Sequence, residues 1–186
     1  MPVPKEARRY TYYDYYRWDD GERWELIDGV PYSMSPTPLR KHQGILIELV
    51  GQIHNFLKDK PCKVYTAPFD VRLGGLGDED DTVVQPDIVV VCDKTKLDDR
   101  GCNGAPDMLI EILSPSTAAK DKVTKFNKYQ SASVREYWIV DPDSKTVASH
   151  VLENGRYITY AYSNEDAAPV QILEGCKIDL QEVFAE

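Results

Sequence analysis

Two neighbouring stretches, VVQPDIVVVC at residues 83–92 and DMLIEILS at residues 107–114, decide how this chain is read. Both are short apolar runs separated by a loop containing Gly101 and Gly104, and both have the continuity of β-strands buried on two faces. Each carries one carboxylate where an apolar side chain is expected: Asp87 directly after Pro86, and Glu111 between Ile110 and Ile112. Taking an ionised carboxylate out of water is costly unless a cation or a hydrogen-bond network compensates. A single metal ion accounts for both. With no paired histidines and no CxxC cysteines, the ligands are oxygens, which suits Mg²⁺ or Mn²⁺ held by Asp87 and Glu111. The competing reading is a polar core network in which Asp87 caps a loop and Glu111 pairs with a lysine or arginine.

Downstream, Ser114 followed by Pro115 reads as an N-cap with proline in the first helical position, opening a helix from about Pro115 to Gln130. Asp121, Lys125 and Tyr129 recur every four residues and share one face of it. That face either carries an ordinary solvated Asp121–Lys125 ion pair or turns Lys125 toward the metal, where an ammonium stabilises a phosphoryl transition state. REYWIVD (135–141) is a further strand, residues 141–144 a turn, and VASHVL (147–152) and YITYAYS (157–163) alternate in period two around an Asn154-Gly155 turn.

Upstream, VYTAPFDVRL (64–73) reads as a strand whose Pro68 marks an edge or a bulge. GGLGDEDD (74–81) reads as a mobile loop without the strand–glycine–helix context of a phosphate cradle. Apolar residues from Ile45 to Leu57 recur at helical spacing, predicting an amphipathic helix over about 39–57 that stops before Pro61. WELIDGVPYSM (24–34) is a hairpin about Asp28-Gly29, with Glu25 on its first arm, and residues 11–18 suggest a short helix. The pattern predicts an α/β (α+β) fold: a mixed central β-sheet flanked by α-helices, with an N-terminal hairpin and a C-terminal antiparallel meander. No linker divides residues 1–186, so a single domain is expected.

The chain has 186 residues, 42% hydrophobic and 28% charged, as in ordinary globular proteins. No window approaches the about 18 uninterrupted apolar residues of a membrane span, and MPVPKEARRY lacks the apolar stretch of a secretory signal, so a cytoplasmic location with no membrane partner is expected. Cys62, Cys92, Cys102 and Cys176 show no metal or disulfide spacing and are expected to be reduced thiols. A net charge of −9 opposes nonspecific wrapping of nucleic acid. Locally, however, residues 116–130 carry Lys120, Lys122, Lys125 and Lys128 against Asp121 alone, which predicts a basic face.

QPDIVVV (85–91), PDMLIEILSPST (106–117), the spaced Asp121, Lys125 and Tyr129, and VREYWIVDP (134–142) together resemble the Uma2 family (DUF820). The resemblance runs from WELIDG (24–29) to the WIVDP strand. It implies the PD-(D/E)xK, or restriction endonuclease-like, superfamily, and with it a divalent-metal nuclease acting on nucleic acid, DNA before RNA. Asp87 matches the aspartate after proline and Glu111 the acid of the second motif element, the two expected metal ligands. The superfamily's lysine two positions after that acid is replaced here by Leu113. The resemblance moves its role to the following helix, with Lys125 the best match and Lys120 and Lys122 weaker ones. Glu25 resembles the acid that many members supply from an N-terminal element, and it serves either the metal shell or a cross-strand hairpin pair.

Among the remaining candidates for contact with substrate, His42 opens a helix and either touches a phosphate or stays at the surface as a cap; Lys120, Lys122, Asp121 and Tyr129 complete the set. Tyr12, Tyr13, Tyr15 and Tyr16 suit base stacking or core packing, and Tyr157, Tyr160 and Tyr162 a dimer surface, a homodimer being the base-rate expectation. The expected activity is Mg²⁺-dependent hydrolysis of phosphodiesters. Its rivals are a non-catalytic nucleic-acid-binding or regulatory protein on a degenerate nuclease fold, favoured by Leu113 and the acidic charge, and a hydrolase of small phosphoesters.

Overall fold

Asp28 and Gly29 both hold positive φ (51° and 74°), as the two central residues of a tight type I′ turn must, and they close the hairpin expected there. The computed structural model describes residues 8–34 and 38–185; the first seven residues, part of the opening read for a secretory signal, lie outside the described residues. In chain order the elements are α1 (Tyr12–Tyr15), β1 (Trp24–Ile27), β2 (Val30–Ser33), α2 (Arg40–Leu57), β3 (Lys63–Thr66), β4 (Asp70–Arg72), β5 (Val83–Val84), β6 (Ile88–Val91), β7 (Leu97–Asp98), β8 (Gly101–Asn103) and β9 (Met108–Ile112). A π-helical segment (Lys120–Lys125) then runs into α3 (Phe126–Ser131), followed by β10 (Glu136–Asp141), β11 (Thr146–Glu153), β12 (Arg156–Ser163), β13 (Ala167–Pro169), β14 (Lys177–Asp179) and α4 (Leu180–Val183).

The mixed sheet expected at the centre has the order β12-β11-β10-β9-β6-β3, with β9 and β10 parallel and the C-terminal meander continuing it. The N-terminal hairpin does not stand apart. It forms one edge of a second six-stranded sheet, β2-β1-β5-β4-β8-β7. The run 64–73 accordingly divides at the cis Ala67–Pro68 bond: β3 is the edge of the central sheet and β4 belongs to the other.

The alternation of side chains across β6, β9 and β10 assigns their two faces. Ile88, Val90, Met108, Ile110, Ile112, Trp138 and Val140 pack with Ile45, Leu49, Ile53 and Leu57 of α2 and with the C-terminal segment from Ala168 to Phe184. On the opposite face Val89, Val91, Leu109, Tyr137 and Ile139 pack with Ile27, Val71 and Val84 of the second sheet and with Tyr129 of α3. Burial on both sides explains the unbroken apolar runs of β6 and β9.

Several local expectations are corrected. Cys62 and Cys92 form a disulfide rather than remaining reduced. The β3–β6 ladder pairs Lys63 with Val91, so the next residues outward face each other, a proximity hidden by 30 intervening positions. Cys102 and Cys176 are buried free thiols. The loop 74–81 is anchored rather than loose: buried Asp80 accepts hydrogen bonds from the Leu76 and Thr82 amides, and Gly77 N–H donates to Asn103. Pro115 lies in a turn in which the Ser114 carbonyl accepts the Thr117 and Ala118 amides, and continuous helical structure starts at residue 118. Residues 11–18 shorten to one helical turn. Among the described residues no helix is long and apolar enough to cross a membrane.

Candidate active site

The β6–β9 register pairs Ile88 with Ile110, so Asp87 and Glu111, one step further, stand opposite each other where the two strands enter the core. Asp87 Oδ2 accepts the Ile112 amide at 2.7 Å, which ties the carboxylate to the neighbouring strand. Its Oδ1 lies 3.3 Å from His42 Nε2. His42 is therefore neither a cap nor a surface residue: its side chain is 12% exposed, and Nδ1 is buried without a hydrogen-bond partner. The helix cap is instead Leu39, which makes no side-chain bond.

Glu111 points to the face occupied by α3 and the second sheet. Its Oε1 accepts from Lys125 Nζ at 2.7 Å and from the Tyr129 hydroxyl at 3.0 Å. Asp121 lies 3.5 Å from the same Lys125 nitrogen, so the three residues spaced by four do share one face. Glu25, fully buried, takes Lys125 on Oε1 and Lys120 on Oε2, each at 2.8 Å, and Oε1 also accepts the Gln85 amide at 3.0 Å. Its cross-strand partner on the hairpin is Tyr32, so no opposite-charge pair forms there. Lys120 and Lys125 reach one carboxylate although they lie five residues apart. The π-helical segment makes this possible, because its i→i+5 bonding aligns positions five apart.

The basic face expected over 116–130 is largely consumed. Lys120 and Lys125 are paired with buried carboxylates and Lys128 with Asp28; Lys122 is exposed, and its charge acts on Asp141 rather than on the cluster. Sequence reading also missed the supports. Tyr137 donates to the Asp121 carbonyl at 3.0 Å and packs edge-on against Tyr129, and the Gln85 amide donates to Glu25. A tyrosine inside the apolar strand REYWIVD was the one available signal, since a buried hydroxyl needs a partner.

Burial raises the Glu111 pKa, and the nearby Asp121, Asp87 and Glu25 charges add to this against the opposing pull of Lys125, leaving it well above the ordinary carboxylate value. Burial also raises Asp121. For Glu25 the same burial is outweighed by Lys125 and Lys120, and its pKa falls to about 2. Burial would lower Lys125, but the charges of Glu111, Glu25 and Asp121 hold its pKa well above normal, so it stays an ammonium ion.

Among the described residues no group of three or more His, Cys, Asp or Glu side chains is arranged to hold a metal. A Mg²⁺ ion does not require one, since it commonly uses one or two carboxylates and completes its shell with water and substrate phosphate. Two features fit a divalent cation. The buried carboxylates of Glu25, Glu111 and Asp121 share the ammonium groups of Lys120 and Lys125, with Asp87 held by His42 beside them, and Asp121 Oδ1 is buried without a hydrogen bond. Both oxygens of Glu25 are engaged by lysines, whereas the Lys125 and Tyr129 contacts of Glu111 both fall on Oε1; Glu111, with Asp87 opposite it, could hold the ion.

A crystal structure from Anabaena variabilis ATCC 29413, described as a "putative nuclease belonging to DUF820", superposes with a TM-score of 0.74 over 94% of this chain and 97% of its own, at 21% identity, and so shares the fold. A Synechocystis sp. protein described only as uncharacterized is 26% identical over 169 residues, which is 89% of this chain and 84% of that protein. A sequence model of the family described as "Uma2: Putative restriction endonuclease" matches residues 12–181, a span that contains the whole carboxylate–lysine cluster. The chain belongs to the Uma2 family.

Proposed function

We propose that this chain is a metal-dependent endonuclease that hydrolyses phosphodiester bonds of nucleic acid. The observation that carries the reading is Lys125 Nζ, 2.7 Å from Glu111 Oε1. Strand position 113 holds a leucine, and an ammonium from the following helix reaches the same carboxylate. Asp87 and Glu111 are the residues that would hold Mg²⁺ or Mn²⁺, which when bound polarises the phosphoryl oxygen and lowers the pKa of a bound water.

The remaining chemistry belongs to the chain. Lys125 is held protonated, so it acts as a hydrogen-bond donor and electrostatic stabiliser and not as a general base. Its three donors meet Glu25, Glu111 and Asp121, and the contact to Asp121 is the longest, at 3.5 Å. That donor is the one free to turn to the scissile phosphate or to the attacking water. Tyr129 keeps its proton and orients Glu111, while His42 orients Asp87.

Replacing Asp87 or Glu111 by alanine is expected to lower cleavage of plasmid and single-stranded DNA in Mg²⁺ by about a hundredfold or more, while circular dichroism shows the fold retained. Full activity in either folded variant removes the proposal. Leu113, at the strand position where the superfamily carries its lysine, favours a second reading, nucleic-acid binding without turnover. Metal-independent binding with no cleavage by the wild type would select it.

A further inference from the structure

Tyr32 pairs with Glu25 across the β1–β2 ladder, and residues directly opposite in an antiparallel ladder project from the same face. Glu25 is fully buried in the lysine cluster, whereas Tyr32, beside it on the edge strand β2, is 40% exposed. Lys120 joins them: its Nζ is 2.8 Å from Glu25 Oε2 and 5.7 Å from the centre of the Tyr32 ring, within cation–π range. Tyr32, Lys120, Glu25, Lys125 and Glu111 therefore form one chain of contacts from solvent to the centre of the site. The exposed Tyr13 and Tyr16 stand outside this chain of contacts, and the guanidinium groups of Arg17 and Arg100 lie closer over their rings, at 3.5 Å and 4.1 Å.

We propose that Tyr32 is a specificity-determining residue that stacks on an unpaired base next to the scissile phosphate, so that the substrate class is single-stranded polynucleotide. The inference rests on the nuclease reading. An exposed aromatic ring can accept the face of any base, but only a base that has left its duplex stack presents that face. Charge points the same way. Duplex binding draws most of its nonspecific affinity from rows of lysine and arginine along phosphates, and this chain carries −9 overall with Lys120, Lys125 and Lys128 paired to carboxylates. Affinity must then come from a local contact, and stacking beside one partly exposed lysine supplies it. Lys120, whose side chain is 21% exposed, is placed to meet the phosphate adjoining the stacked base.

The test measures binding by fluorescence anisotropy, without divalent ion, to labelled oligothymidylate and oligouridylate of about 12 nucleotides, to a duplex of equal length and to a base-free sugar-phosphate chain. Cleavage in Mg²⁺ is followed in parallel. Wild type and Tyr32→Phe are expected to prefer the single strands. Tyr32→Ala is expected to bind and cut them about tenfold less well or worse, with no change on the base-free chain. If Tyr32→Ala matches wild type on single strands while Glu111→Ala is inactive, the stacking role is wrong and the nuclease reading stands. If the wild type neither binds nor cuts any polynucleotide, the nuclease reading falls and the inference falls with it.

Discussion

Glu25 combines full burial with two ammonium partners, and this governs how the molecule responds to acid. Burial alone would raise its pKa, but the Lys125 and Lys120 charges reverse the sign and bring it from 4.5 to about 2. Below about pH 4.5 the unfolded chain takes up a proton at this position that the folded chain refuses until about pH 2, so stability falls as pH drops through that window. The Glu25→Gln variant is expected to lack this portion of the slope and to be less stable already at neutral pH, because two buried ammonium ions lose a counter-charge. Urea unfolding of both proteins between neutral pH and the acid limb checks this; parallel curves would show that Glu25 does not hold the lysines. At the same scale, Asp87 and Glu111 stood out in the sequence because each is a charge inside an apolar run. Gln85 did not, since a backbone amide becomes part of a site only through its partner.

Elements set the next level of organisation. The antiparallel pairing of β6 with β9 places Asp87 opposite Glu111, and the pairing of β3 with β6 places Cys62 opposite Cys92 at the other end of the same strand. β6 is thus tied at one end by the Asp87 bond to Ile112 and at the other by a covalent link. Thiol titration in denaturant without reductant is expected to count two reactive cysteines, Cys102 and Cys176, and four after reduction. Cys92→Ser is expected to lower stability by about 2–4 kcal/mol under oxidising conditions. Four reactive thiols before reduction would disprove the link. The helix after β9 shows why spacing alone was insufficient. A spacing of four correctly grouped Asp121, Lys125 and Tyr129, but Lys120 joined them through π-helical bonding, which leaves no periodic mark in the sequence.

For the whole molecule, the central sheet is covered on one side by α2 with the C-terminal segment and on the other by the second sheet with α3. Glu136, a buried carboxylate outside the carboxylate–lysine cluster, fastens the C-terminal segment to β10. It accepts Trp138 Nε1 at 2.7 Å and Ser149 Oγ at 3.3 Å on one oxygen and the Ile172 amide at 2.9 Å on the other. Replacing it with alanine strands buried donors, at a cost of about 1–3 kcal/mol for each N–H left unsatisfied. Thermal unfolding is expected to show this loss with cleavage unchanged below the transition, since Glu136 touches no residue of the cluster. Lost cleavage in the folded variant would instead show that the C-terminal layer shapes the site.

The sequence by itself determined the core strands β6, β9 and β10, the β11–β12 meander, the α2 helix, both Asn/Asp-Gly hairpin turns and the two carboxylates on neighbouring strands. Each rests on local chemistry: apolar periodicity, positive-φ turn residues, and a charge where none is expected. The tertiary structure alone decided the second sheet that takes in the N-terminal hairpin, the Cys62–Cys92 bond, the turning of His42 onto Asp87, and the conversion of an expected basic face into a buried ion network. These depend on which distant segments meet. A lysine is a surface charge or a buried counter-ion according to whether a carboxylate some 100 residues away lies within hydrogen-bond reach, as the separation of Lys125 from Glu25 shows.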